Sequence, residues 1–151
     1  MPGWTIELLA GERITRAFWI ILALPAPFWL AVIFFPSARV VRHICQPLVA
    51  PTILVFALLY LYYQAWGLGG FVWPGGIGYT EAQSVVLHPM GFLILWCQIQ
   101  IMHLFLGLVI YQHASRLGLR IPVELIVCWV LGPVGLLPYL GRLLVYRLKR
   151  G

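Results

Sequence analysis

The sequence contains no aspartate, and its acidic residues are only Glu7, Glu12, Glu81 and Glu124. Charged residues make up 9% of the 151-residue chain, against the ~25% of an ordinary soluble domain, so a conventional water-facing surface is excluded. Cysteine is equally sparse. Cys45, Cys97 and Cys128 form no CxxC pair and two of them lie inside apolar runs, which excludes a disulfide framework or thiolate metal site and leaves them as packing residues. His43, His88, His103 and His113 are scattered, without the HxxxH or HxxHH boxes that a membrane di-iron centre requires. Three of them fall on one apolar stretch and the fourth in a loop, so no two spans face histidines across a haem. Neither a metal nor another cofactor is expected. The glycine-rich GLGGFVWPGGIGYTEAQSVV lacks a following Gly-Lys-Ser/Thr and a preceding strand, which excludes a phosphate-cradling loop.

What the chain does contain is hydrocarbon: 62% of residues are hydrophobic and the mean hydropathy is +0.95. A chain of this length cannot hide that much apolar surface in a soluble core, so it is read as an integral membrane protein forming one domain over residues 1–151. The formal charge of +6 is grouped at segment ends, at Arg13/Arg16, Arg39/Arg42, Arg116/Arg120 and Arg142 to Arg150. That distribution suits anionic headgroups rather than nucleic acid.

The most informative stretch is Leu87 to Arg120. About 25 consecutive residues within it lack a formal charge, enough at ~1.5 Å per residue to cross a ~30 Å hydrocarbon core. Trp96, Gln100, His103 and Gly107 recur at i, i+4, i+7 and i+11 and share one helix face, with Gln98 a quarter to a third of a turn away. Polar groups at bilayer depth face the bundle interior and mark candidate functional positions. This stripe is therefore expected to face other helices, with Leu93, Leu104 and Leu108 turned toward lipid. His103 has two readings: a structural histidine bonded to Gln100 or to a carbonyl freed near Pro133, or a proton donor or acceptor working with Gln98 or Gln100 on a buried substrate. The glutamines serve equally as interhelical hydrogen-bonding groups.

The remaining segments complete an all-α, multi-pass pattern: a four-helix antiparallel bundle with spans over about 17–36, 47–67, 88–113 and 122–145. The N-terminal MPGWTIELLAGERITR is expected to lie on the surface. The first span is too long for a signal peptide, lacks a cleavage site, bends at Pro25 and Pro27 and ends at Pro36. PSARVVRHICQ reads as a basic loop, Pro47 starts the second span, and Tyr60, Tyr62, Tyr63 and Trp66 read as an aromatic belt. The glycine-rich stretch reads as a loop of about 20 residues, mobile or a lid. In the last span Pro122 suits the first helical position and Glu124 the first turn. Gly132, Pro133, Gly135 and Pro138 predict a kink facing the polar stripe.

Four crossings place both termini on one side. Arg13, Arg16, Arg142, Arg147, Lys149 and Arg150 then stand against Arg39, Arg42, Arg116 and Arg120, which favours cytoplasmic termini. On the second side Arg39, Arg42, His43, His113, Arg116, Arg120 and Glu124 gather. They read as interfacial anchors for anionic lipid, or as a pocket for an acidic or hydroxylated end group.

FWLAVIFFP (Phe28 to Pro36), FALLYLYY in the second span, WCQIQIMHLFLG (Trp96 to Gly107) and LGPVGLLPYL (Leu131 to Leu140) stand in a fixed order and spacing. In this the chain resembles, over about Phe28 to Leu140, the abscisic acid-deficient membrane family of plant plastid neoxanthin synthase and many small bacterial proteins. The resemblance implies a bacterial-type, inner-membrane protein of several spans linked to carotenoid metabolism; in plants the family is tied to conversion of violaxanthin to neoxanthin. The family's third span commonly reads Trp, one residue, His, four residues, Asp, then Leu-Phe-x-Gly. Trp96, Leu104, Phe105 and Gly107 fit that frame, Gln98 stands at the His position, His103 at the Asp position, and His113 at a later acidic one. Both core positions stay polar, but a carboxylate only accepts hydrogen bonds, whereas a neutral imidazole donates one and accepts one.

Two readings of function follow. One is a metal-free carotenoid isomerase or epoxide-rearranging enzyme, with His103, Gln98 and Gln100 as candidate catalytic groups. The other is a non-catalytic component that binds a pigment or lipid, or docks to a partner subunit. Trp96, Gly107, Arg116, Arg120 and Glu124 are the candidate ligand-binding residues. Expected partners are membrane lipid and a hydrophobic isoprenoid or carotenoid.

Overall fold

The computed structural model describes residues 3–67 and 78–149, with side chains described over 11–64 and 78–149. The side chains of Glu7, Trp66 and Arg150 and the expected lid over 68–77 lie outside the described residues. Regular structure among the described residues is entirely helical. By length and composition alone three helical segments suffice to cross a membrane, Gly11–Phe34, Pro89–Arg116 and Pro122–Leu148, the last of them interrupted at Gly132–Gly135, and Ala50–Gln64 is a shorter apolar helix. Large apolar side chains such as Trp19, Phe34, Phe56, Met102 and Leu137 point outward, as a lipid solvent permits and water does not. The protein is an integral membrane protein.

Helix α1 (Gly3–Ala23) runs without interruption through the segment expected to lie apart on the surface, because no helix breaker precedes Pro25. The exposed pair Glu12–Arg16 (3.4 Å) decorates it. Pro25 lacks the N–H that would continue the ladder, so α2 (Ala26–Phe34) restarts on the Pro25 carbonyl, which accepts from Phe28 N and Trp29 N at 3.1 and 3.2 Å. It stops before Pro36.

The basic stretch expected to be a loop contains a short helix, α3 (Arg39–Ile44). It is followed by the buried Cys45, whose thiol burial pushes above its ordinary pKa. Helix α4 (Ala50–Gly67) begins after Pro47, with Pro51 in its first turn, where a missing N–H costs nothing.

The second half of the expected glycine-rich loop is also helical, as α5 (Tyr79–Leu87). Glu81 in its first turn turns back toward the helix start, and a hydrogen bond from its own N–H, then one from Thr80, hold its carboxyl below the usual range. Negative charge at a helix N-terminus supplies what propensity alone did not reveal.

Helix α6 (Pro89–Arg116) is the longest element. The His88 ring accepts from Met90 N–H at 3.3 Å at its start, and a bond from Leu119 N to the Ala114 carbonyl (2.9 Å) closes its end at Gly118. Leu93, Leu104 and Leu108, expected to face lipid, are buried, while Ile99, Met102, Phe105 and Val109 are exposed. The correction has a simple cause: α6 is packed over much of its circumference, and its lipid-facing strip is narrower than a two-sided helix would show.

After α6 the chain folds as α7 (Pro122–Leu131), a 3-10 turn (Gly132–Gly135) and α8 (Leu136–Leu148). The expected break in the last helix is present and goes further than a kink. Gly135 packs against the backbone of Cys128, Arg142 Nε reaches Glu124 Oε1 at 3.1 Å, and Tyr146 Oη donates to the Leu117 carbonyl at 3.4 Å. Helix α8 therefore runs back beside α7. At 1.5 Å per residue α7 is ~15 Å and α8 ~20 Å long, each short of a ~30 Å core.

By contact density the chain forms two compact units, Met1–Leu24 with Leu54–Gln100, and Pro25–Ile53 with Ile101–Gly151. The first has an aromatic core in which Phe18, Phe92 and Trp96 lie in mutual ring contact, at centroid distances of 5.9 to 6.3 Å. The second packs Trp29, Val32, Leu104, Leu108, Leu125 and Cys128, all fully buried.

Candidate functional site

In the first unit, Gln98 Nε2 donates to the Tyr62 hydroxyl at 3.1 Å, joining α6 to α4. Cys97 Sγ points to the Leu54 carbonyl at 3.8 Å across the same pair of helices. Gln100 is 5% exposed and its Oε1 has no hydrogen-bond partner, and the indole Nε1 of Trp96 is likewise buried and unpartnered. Each such atom costs ~1–3 kcal/mol unless something supplies a bond.

In the second unit, the centre is His103. Its ring donates to the carbonyl of Trp129. That carbonyl lies four residues before Pro133, which has no N–H to offer it; the imidazole replaces the missing helical bond. The same ring lies flat against Gly132, where a Cβ would fall 2.1 Å from His103 Nε2. Gly132 also has φ 60°, a conformation that side-chain-bearing residues rarely adopt. Cys128 Sγ points to the His103 carbonyl at 3.9 Å. One turn further along α6, Gly107 makes room for Trp29: a Cβ there would lie 2.2 Å from the indole Cη2. The fully buried Trp29 stacks on Trp129 at 6.0 Å and 12°, and its Nε1 has no partner. The kinked segment thus faces His103, while Gly107 faces Trp29 of α2.

At the far end of this unit lies a second polar group. Glu124, 4% exposed, pairs with Arg142, whose guanidinium also donates to the Arg120 carbonyl; Glu124 Oε2 is left without a partner. His113 Nδ1 and the Tyr139 hydroxyl form a short hydrogen bond. Beside them a cavity of ≈ 540 Å³ is lined by residues that include Ser37, Arg42, Tyr111, Ser115 and Arg120, and Arg116 lines a neighbouring one of ≈ 190 Å³.

Of the residues singled out from the sequence, Trp96, Gln98 and Gln100 thus fall in the first unit and His103, Gly107, Arg116, Arg120 and Glu124 in the second. Glu124 lines neither cavity: its carboxylate is turned to Arg142, a residue expected at the opposite end of the bundle. The sequence held one signal of this, since Tyr139, Arg142 and Tyr146 recur at i, i+3 and i+7 and give α8 a polar stripe that a lipid-facing helix would lack. Trp29 and Trp129 were not singled out either, because an indole in an apolar run carries no local mark of its partner. No group of three or more His, Cys, Asp or Glu residues arranged to hold a metal ion occurs among the described residues.

These features define a small multi-pass helical membrane protein with a polar, proline-broken centre. The family described as ABA DEFICIENT 4-like matches residues 16–139, and the chain belongs to it. That family is associated with carotenoid and neoxanthin metabolism. No curated protein and no solved structure matches the chain.

Proposed function

We propose that the protein binds a carotenoid, or an isoprenoid lipid of similar length, within the membrane and serves carotenoid metabolism as a binding component rather than as the catalyst. The observation that carries this reading is the occupation of the two polar positions of α6. Gln98 commits one of its two amide N–H groups to Tyr62 and is tied to α4 by it, and His103 directs its ring N–H to the Trp129 carbonyl. An epoxide or polyene rearrangement needs an acid at oxygen and a base at a neighbouring C–H. With its donor committed to the backbone, a neutral His103 retains only an accepting nitrogen. The half-buried indole of Trp129 beside it, backed by the fully buried Trp29, is a flat, polarisable surface of the kind that lines apolar ligand sites.

The catalytic reading draws on that one accepting nitrogen, which can serve as a base. Expression in a carotenoid-making bacterium separates the two. The binding reading expects pigment to co-purify with the protein while the composition of the cellular pool stays unchanged. A new pigment in the pool, lost in a well-folded His103→Gln variant, would overturn it in favour of an isomerase.

A further inference from the structure

The cavity of ≈ 540 Å³ in the second unit falls in the size range of small-molecule sites, and its lining includes both polar and apolar residues. Arg42, Arg120, Ser115 and Tyr111 are among its polar lining residues, and Ile33 and Leu125 among its apolar ones. Tyr111 is 4% exposed, its hydroxyl donates to the Pro36 carbonyl at 2.6 Å, and Arg42 lies near that hydroxyl. Neither arginine has a carboxylate partner among the described residues, whose ion pairs are Arg16–Glu12 and Arg142–Glu124. The N-terminus of α7 reaches the same lining through Ile121 and Pro122 and adds partial positive charge.

Two unpaired guanidiniums, a phenol and a hydroxyl around one hollow call for a tetrahedral oxyanion. The hollow is lined by residues at the C-terminal end of α6 and the start of α7, and lipid headgroups meet a spanning helix at its ends. We infer that this cavity holds the phosphate of an anionic phospholipid, with the first carbons of its tails along Ile33 and Leu125. The site is separate from the His103 region and does not depend on the proposed carotenoid role.

Native mass spectrometry of the intact chain released from detergent micelles tests it, with phosphatidylglycerol, phosphatidylcholine or inorganic phosphate added. The expected result is a retained phosphatidylglycerol, preferred over phosphatidylcholine roughly tenfold, the scale of two interfacial arginines. That preference should vanish in the Arg42→Gln/Arg120→Gln double variant and survive in Arg13→Gln/Arg16→Gln. Ser115→Phe, which fills the hollow and leaves its charge intact, should also abolish retention. Equal retention by the double variant would overturn the assignment, and so would retention by Ser115→Phe, which would mean that surface charge alone holds the lipid. Displacement of the lipid by millimolar inorganic phosphate would show a free-anion site instead. All the substituted positions are exposed, and a far-UV spectrum with an unchanged unfolding midpoint confirms that each variant is folded.

Discussion

Arg142 Nε lies 3.1 Å from Glu124 Oε1, although a continuous helix would hold the two residues ~27 Å apart at 1.5 Å per residue. Helix α8 must therefore return toward the end from which α7 set out. Single cysteines placed at Arg120 and at Arg147, in a background where Cys45, Cys97 and Cys128 are replaced by alanine, should be labelled by an impermeant maleimide from the same face of the membrane. Labelling from opposite faces would mean that the last segment crosses after all.

The same pair sets a stability order. Arg142→Met strands a buried carboxylate and should cost about 2–3 kcal/mol, less than a fully buried pair because the arginine is 45% exposed. Glu124→Gln, which removes the charge that needs compensation, should cost less. Combining the two should be milder than Arg142→Met alone. Unfolding midpoints in detergent would check the ranking, and equal losses for the two single variants would contradict it.

His103 and Trp129 make a second testable link. His103→Leu removes the donor that replaces the missing Pro133 N–H and leaves a half-buried carbonyl unpaired, a loss of ~1–3 kcal/mol. His103→Gln keeps a donor at similar reach and should recover most of it. Were both variants equally stable to the wild type, the hydrogen bond would be of no structural consequence.

Gly132 is constrained twice, by φ 60° and by the His103 ring at 2.1 Å from the Cβ position. Gly132→Ala should destabilise by ~2 kcal/mol or more. Pairing it with His103→Ala relieves the clash and leaves the backbone strain, so the rescue should be partial. Complete rescue would assign the whole effect to the ring.

Gly107 offers the contrasting case, since its backbone is ordinary helix and only the Trp29 indole, 2.2 Å from the Cβ position, forbids a side chain. Gly107→Ala should destabilise alone. Together with Trp29→Leu it should be better tolerated than either change predicts by addition, because residues in contact couple. Strict additivity in a double-mutant cycle would place the indole elsewhere.

The sequence by itself determined the solvent and the alphabet of this protein. With 9% charged residues and apolar runs of membrane-crossing length, lipid was the only environment that fits, and in lipid a chain with this pattern satisfies its backbone as helix. Proline positions were legible too, because the missing N–H acts locally: the breaks at Pro25 and around Gly132 and Pro133 fall where the residues demand. The polar face of α6 was legible in part, through the spacing of His103 and Gly107. Tertiary structure alone decided what those groups meet. A broken helix can bend by a little or reverse, and local sequence does not choose. The reversal is held by contacts distant in the chain, Gly135 on Cys128, Arg142 on Glu124, and Tyr146 on Leu117. For the same reason Leu104 and Leu108 proved buried: which side of an apolar helix faces lipid depends on how many neighbours surround it, and leucine suits either solvent equally well.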